Sequence, residues 1–155
     1  ILINNNKIIL PTLFSRCINI KITLSNQEIY TIADKLLDGN LENLINKDLI
    51  SYYVSPGDIY NLSLFGKDNK YDLVNINLKT FLNTLIDNKH YKKDTSTRSM
   101  IFDLIELYFN KINYSFSSKI SDKYSYFLKR ISDTRKFNLD DEILFLEFKD
   151  NILNG

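Results

Sequence analysis

Four glycines and two prolines are the only strong backbone breakers in this 155-residue chain, and their scarcity limits what it can fold into. So little punctuation over such a length favours long helices with short joints over many short strands. The length suits one ordinary domain or two small ones, either able to bury a sizeable core. A hydrophobic content of 44%, a charged content of 25% and an aromatic content of 13% belong to a packed globular chain and argue against wholesale disorder.

Twenty basic side chains against nineteen acidic ones leave a formal charge of +1. That balance gives no net field toward nucleic acid or an anionic membrane, so any DNA contact must come from a local patch. The single cysteine, Cys17, excludes an internal disulfide and any multi-cysteine metal site, which fits a reducing compartment and makes the cytoplasm the expected location. No apolar run approaches the roughly 18 residues that span a bilayer, and no charged start followed by a short apolar stretch marks a secretion signal. No membrane partner is expected. The first residue is Ile rather than Met, from which a missing upstream segment is expected.

Ile1 to Ile3 and Ile18 to Ile22 are β-branched runs, the second alternating Ile18, Ile20 and Ile22 with polar residues at the period of a strand. Two strands alone are marginal, so this end reads as the edge of a sheet whose other strands lie upstream. From Ser25 the period changes. Ser25-Asn26-Gln27-Glu28 is a capping box, followed by Ile29, Ile32, Ala33 and Leu36 on one helical face and by Gly39 as a stop. A second run passes through Leu41, Leu44, Ile45, Leu49, Ile50 and Tyr53, with a break expected near Lys47. Ser55 caps a third, with Pro56 at its first position and Ile59, Leu62, Leu64 and Phe65 before Gly66.

Gly66 to Lys70 is polar and turn-forming, and forms the expected joint between two units with separate cores. Beyond it, Leu73, Ile76, Leu78, Phe81, Leu82 and Leu85 predict a helix, and His90 to Ser96 a polar loop. Three more helices are expected through Met100 to Ile112, Ile120 to Ile131, and Ile143, Leu144, Leu146 and Phe148. Asn138 and the acidic pair Asp140 and Asp141 suit the start of the last. Residues 71 to 155 thus read as a bundle of four or so helices.

Two short motifs carry the chemistry. The first is Ile8 to Cys17, with Leu10-Pro11-Thr12 and then Ser15-Arg16-Cys17. It resembles the segment after the sensor strand in clamp-loader AAA+ proteins, where Leu-Pro-Thr, two variable residues and Ser-Arg-Cys follow an apolar strand. The second, Val54-Ser55-Pro56-Gly57-Asp58, stands where ATP-hydrolysing clamp-loader subunits carry an Arg-Asp pair whose Arg reads the phosphates of their own nucleotide. Gly57 holds that Arg position, and the Ser-Pro-Gly wording is similar to the delta-prime type of the bacterial DNA polymerase III clamp loader. The resemblance is specific over Ile1 to Gly66 and architectural over Tyr71 to Gly155.

The resemblance implies a mainly α chain: residues 1-22 as the last strands of an AAA+ α/β core, 23-66 as a three-helix lid, and 71-155 as a helical collar that assembles subunits into a ring. It implies a scaffold with no catalysis of its own, serving the polymerase holoenzyme that loads the sliding clamp on primed DNA. Arg16 would be an arginine finger acting in trans, because a guanidinium presents a planar, always charged fork to phosphate oxygens. Ser15 and Cys17 support the motif, and Gly57 is a degenerate nucleotide-sensing position. No cofactor belongs to this part, while ATP and Mg would sit on the neighbouring subunit. The expected partners are the other clamp-loader subunits, the clamp and primed DNA.

Plainer readings stand beside these. Arg16 could cap a short helix and pair with a carboxylate, and Ser15 caps or turns the chain. Cys17 reads as a small buried residue, remote from the only histidine. His90 has no partner at metal-ligand spacing and reads as a solvated loop residue. Lys89, Lys92 and Lys93 near Tyr91 could touch a phosphate backbone, but a short charge run is usually a wet surface. The adjacent Asp140, Asp141 and Glu142 are assigned to the helix dipole. Two alternatives remain open for the whole chain: an ATP-hydrolysing AAA+ clamp-loader subunit, or an unrelated all-helical interaction module.

Overall fold

A computed structural model of the chain describes residues 12, 15, 16, 18, 23–50, 54–113, 119–137 and 139–154. The remaining positions expected to form a sheet edge, Ile1 to Ile3 and Ile20 to Ile22 among them, lie outside the described residues, as do Cys17, Tyr53 and Asn138. Among the described residues the protein is mainly helical, with seven α-helices and no strand: α1 (Asn26–Leu36), α2 (Leu41–Leu44), α3 (Pro56–Asp68), α4 (Leu78–Asp87), α5 (Thr95–Asn113), α6 (Lys119–Phe137) and α7 (Asp141–Phe148). Two 3-10 turns, Lys47–Leu49 and His90–Lys92, and a π-type end, Lys149–Leu153, complete the path. No described helix is long and apolar enough to cross a membrane.

The helix starts follow local chemistry. The Ser25 backbone N–H donates to Glu28 Oε2 at 2.8 Å, and the Glu28 N–H returns a bond to Ser25 Oγ at 3.4 Å, completing the capping box of α1. Ser55 and Asp58 repeat the device at α3, with Pro56 at the first helical position, where its missing N–H costs nothing. Asp140 caps α7 by accepting from the Glu142 N–H at 2.8 Å. Gly39 closes α1 at φ +74, donating its N–H to the Asp34 carbonyl at 2.8 Å.

The second helical run breaks at Ile45 and Asn46, just before Lys47, because Asn46 turns its bonding to distant backbone. Its N–H donates to the Leu73 carbonyl at 2.8 Å and its side-chain amide to the Ile76 carbonyl at 3.3 Å. The same region corrects the start expected for α4. Leu73 and Ile76 precede the helix, since Asp72 Oδ1 accepts the N–H groups of Val74 and Asn75 in a turn and Asn77 caps the helix through the Thr80 N–H.

One apolar cluster runs from Ala33, Leu41 and Leu62 through Phe81, Leu85 and Ile105 to Phe148 and Leu153. It crosses the joint at 66–70, so the helices on either side meet in a common core rather than in two. Gly66 lies inside α3, one turn further into the helix than its expected role as a stop, and it is buried: a Cβ there would stand 2.4 Å from Leu73 Cδ1. Across α4 to α7 the core is aromatic, with Phe109 against Phe127, Phe148 and Tyr124, and Phe145 against Phe102 and Tyr91, at centroid distances of 4.9 to 5.8 Å. The buried face of α7 is Leu144, Phe145 and Phe148, whereas Ile143 and Leu146 point to solvent. That face differs from the expected stripe because Phe145, not Leu146, meets the aromatic cluster.

Candidate functional site

Arg16 is exposed in a turn, and beside it the Ser15 hydroxyl donates to the Thr12 carbonyl at 3.2 Å. Ser15 therefore has a turn-stabilising bond, and Arg16 is an exposed residue of the same turn. Gly57 sits at the second position of α3, also exposed. A Cβ added there would touch only Ser55 Oγ, at 3.7 Å. Neither space nor backbone demands glycine at that point.

The basic run beyond α4 is tied down. Glu142 holds Lys92 at 2.7 Å and Lys89 at 3.6 Å, and it accepts from the Tyr91 hydroxyl at 3.2 Å. The Lys92 bond is the main cause holding the Glu142 carboxyl below its ordinary range, while burial and the facing Glu142 push the Tyr91 phenol up to about 12. Lys93 Nζ donates to Asn69 Oδ1 at 2.8 Å. Asp141 pairs with Arg98 at 2.8 Å, yet burial, its largest influence, keeps its carboxyl above the ordinary value. The acidic start of α7 thus does more than complement a helix dipole: it fastens α7 to the turn after α4 and to α5.

His90 corrects the expectation of a solvated loop residue. Only 3% of it is exposed. Its Nε2 lies 2.6 Å from the Tyr71 hydroxyl, which also accepts from the Asn88 side-chain amide at 3.0 Å, and the Phe65 ring meets the imidazole edge-on at 5.2 Å. Lys89, at φ +52, turns the chain inward just before it. Nothing in the local sequence announces this burial, because the covering rings come from α3 and from the turn at Tyr71.

Among the described residues no group of three His, Cys, Asp or Glu side chains is placed to hold a metal ion. A groove of about 710 Å³ lies between α3 and α5, with Asp58 and Phe65 on one wall and Met100 and Leu107 on the other. In the lining of a smaller depression, Asp48 Oδ1 pairs with Lys111 at 2.6 Å and Oδ2 accepts from the Leu78 N–H at 2.8 Å. Comparison with protein families, with curated proteins and with solved structures finds no match to this chain.

Proposed function

We propose that this chain is the lid and collar part of a delta-prime-type clamp-loader subunit, preceded by the last strands of an AAA+ core. In this reading it scaffolds a ring that loads the sliding clamp on primed DNA, in the cytoplasm. Arg16 completes an ATP site on the neighbouring subunit, and the chain itself hydrolyses nothing. The observation that carries the reading is the pair of motifs at its start. Ser15-Arg16-Cys17 offers an exposed arginine, while Ser55-Pro56-Gly57-Asp58 opens a capped helix with a hydrogen where hydrolysing subunits hold a phosphate-reading Arg. The helical build of the described residues between 26 and 153 is in keeping with a lid and a collar.

The test reconstitutes a bacterial clamp-loader ring with the subunit that carries this chain, alongside its ATP-hydrolysing partners, the clamp and primed DNA. Arg16→Ala is expected to assemble and melt normally yet lower DNA-stimulated ATP hydrolysis in part and clamp loading more, because the other interfaces keep their own fingers. Arg16→Lys should rescue poorly, since an ammonium lacks the bidentate fork. Normal loading by an assembled Arg16→Ala ring would remove the finger. Failure of the wild-type chain to join any ring would favour the unrelated interaction module, and saturable micromolar ATP binding in calorimetry would favour a nucleotide-handling subunit.

A further inference from the structure

The hairpin of α6 and α7 keeps an apolar outer face. The two helices run antiparallel, since a short joint at 138–140 connects them while Tyr126 reaches Glu147 and the Phe127 ring meets that of Phe148 further from the joint. Tyr126 and Phe137 stand about three turns apart along α6 and so share one side of it. On α7 and just before it, Leu139, Ile143 and Leu146 follow the i, i+4, i+7 spacing of a single stripe. The two rows lie side by side, because the Tyr126 hydroxyl donates to Glu147 Oε1 at 2.9 Å and Arg130 pairs with Glu147 Oε2 at 3.5 Å. Each of the five apolar side chains is open to about half its extent or more: Phe137 60%, Ile143 58%, Tyr126 48%, Leu139 47% and Leu146 45%.

We infer that a second copy of this chain docks on the face, like against like about a two-fold axis. A half-open side chain of this size leaves on the order of 100 Å² in water, so the five reach the upper end of what one patch of a monomer ordinarily exposes. Laid on the same face of another copy they cover about 1,000 Å² of apolar surface in all, the scale at which specific interfaces begin. The polar groups between the rows support the same occupant. Arg130, Glu147 and the Tyr126 hydroxyl are bonded to one another within one copy, so the contact does not have to bring them a charged partner. The gain comes instead from apolar burial, which an identical face supplies. Two antiparallel hairpins packed face to face form a four-helix arrangement, and a two-fold axis closes it at two copies. The inference needs only α6 and α7 and stands apart from the clamp-loader reading.

Sedimentation velocity of the 155-residue chain alone, across the micromolar range, should show a reversible shift from one chain mass to two and no further. Ile143→Lys and Phe137→Lys, on different helices of the face, should each weaken that association about tenfold or more, because each places a charge against apolar surface. Both positions are exposed, so melting temperatures of dilute samples should match that of the native chain. Leu64→Lys, at a position 40% exposed on α3, serves as the control for general stickiness and should leave the association unchanged. Should Ile143→Lys melt early, Leu139→Ser, which lies outside both helices, carries the same comparison. A single chain mass throughout, association that continues past two copies, or a dimer that the face variants leave as tight as the native one would overturn the inference. So would a dimer that Leu64→Lys weakens as much as Ile143→Lys does.

Discussion

The Tyr71 hydroxyl lies 2.6 Å from Nε2 of His90, although the two residues stand 19 positions apart. This contact joins the turn after α3 to the turn after α4, beneath the Phe65 ring. Tyr71→Phe keeps the ring packing and removes the hydroxyl. It leaves a buried imidazole nitrogen and the Asn88 amide without that partner, and losing a partner of a buried polar group costs about 1–3 kcal/mol. Urea unfolding monitored by far-UV circular dichroism should show a lower midpoint at unchanged slope. An unchanged midpoint would mean that the hydroxyl is replaceable by solvent.

The same histidine should make stability depend on pH. Burial first, and the neighbouring Lys93 charge second, hold its pKa below the ordinary value. A protonated ring would carry an N–H on both nitrogens, and Nδ1 has no hydrogen-bond partner among the described residues. Below about pH 6.5 the unfolded chain takes up the proton while the folded one resists, so stability rises with pH through this window. It is full above the unfolded pKa and declines as the pH falls toward the lowered folded one. Unfolding midpoints measured between about pH 7.5 and 5.5 should fall in the native chain and stay flatter in His90→Gln. That window lies above the range in which the depressed carboxyls of Asp48 and Asp94 titrate. Parallel slopes for the two proteins would assign the pH dependence to other groups.

Gly66→Ala should destabilise the protein without removing any hydrogen bond. Its Cβ would stand 2.4 Å from Cδ1 and 2.6 Å from Cγ of Leu73, itself 3% exposed. Overpacking of this kind costs about 1–3 kcal/mol, more than the gain alanine brings to a helix interior. Combining it with Leu73→Ala should cost less than the two single changes together, because the second substitution makes the room that the first requires. Thermal melts of the three variants give the coupling directly, and strict additivity would show that Leu73 is not what the new methyl meets.

Helix starts were the most legible part of this protein. Ser25 with Glu28, Ser55 with Pro56, and Asp140 before α7 mark real boundaries, because a cap joins groups only two or three residues apart and needs nothing from the rest of the fold. The apolar spacing of α5 is legible for the same reason. Of the candidate site, Arg16 and Gly57 can be singled out from their motifs, while the groove cannot, since its walls lie about 40 positions apart in the chain and their stripes become one surface only when α3 and α5 pack.

The sequence by itself determined a mainly helical chain and the places where its helices begin, through capping groups and apolar periods that act within one or two turns. Only the tertiary structure decided that Gly66 admits Leu73, that His90 is buried, and that Glu142 takes up Lys89 and Lys92. Each of those outcomes rests on partners 7 to 53 positions away, by the residue numbers of the pairs concerned. Local propensity is silent about such partners, and the free energy of desolvating and pairing their side chains outweighs the few tenths of a kcal/mol by which propensities differ.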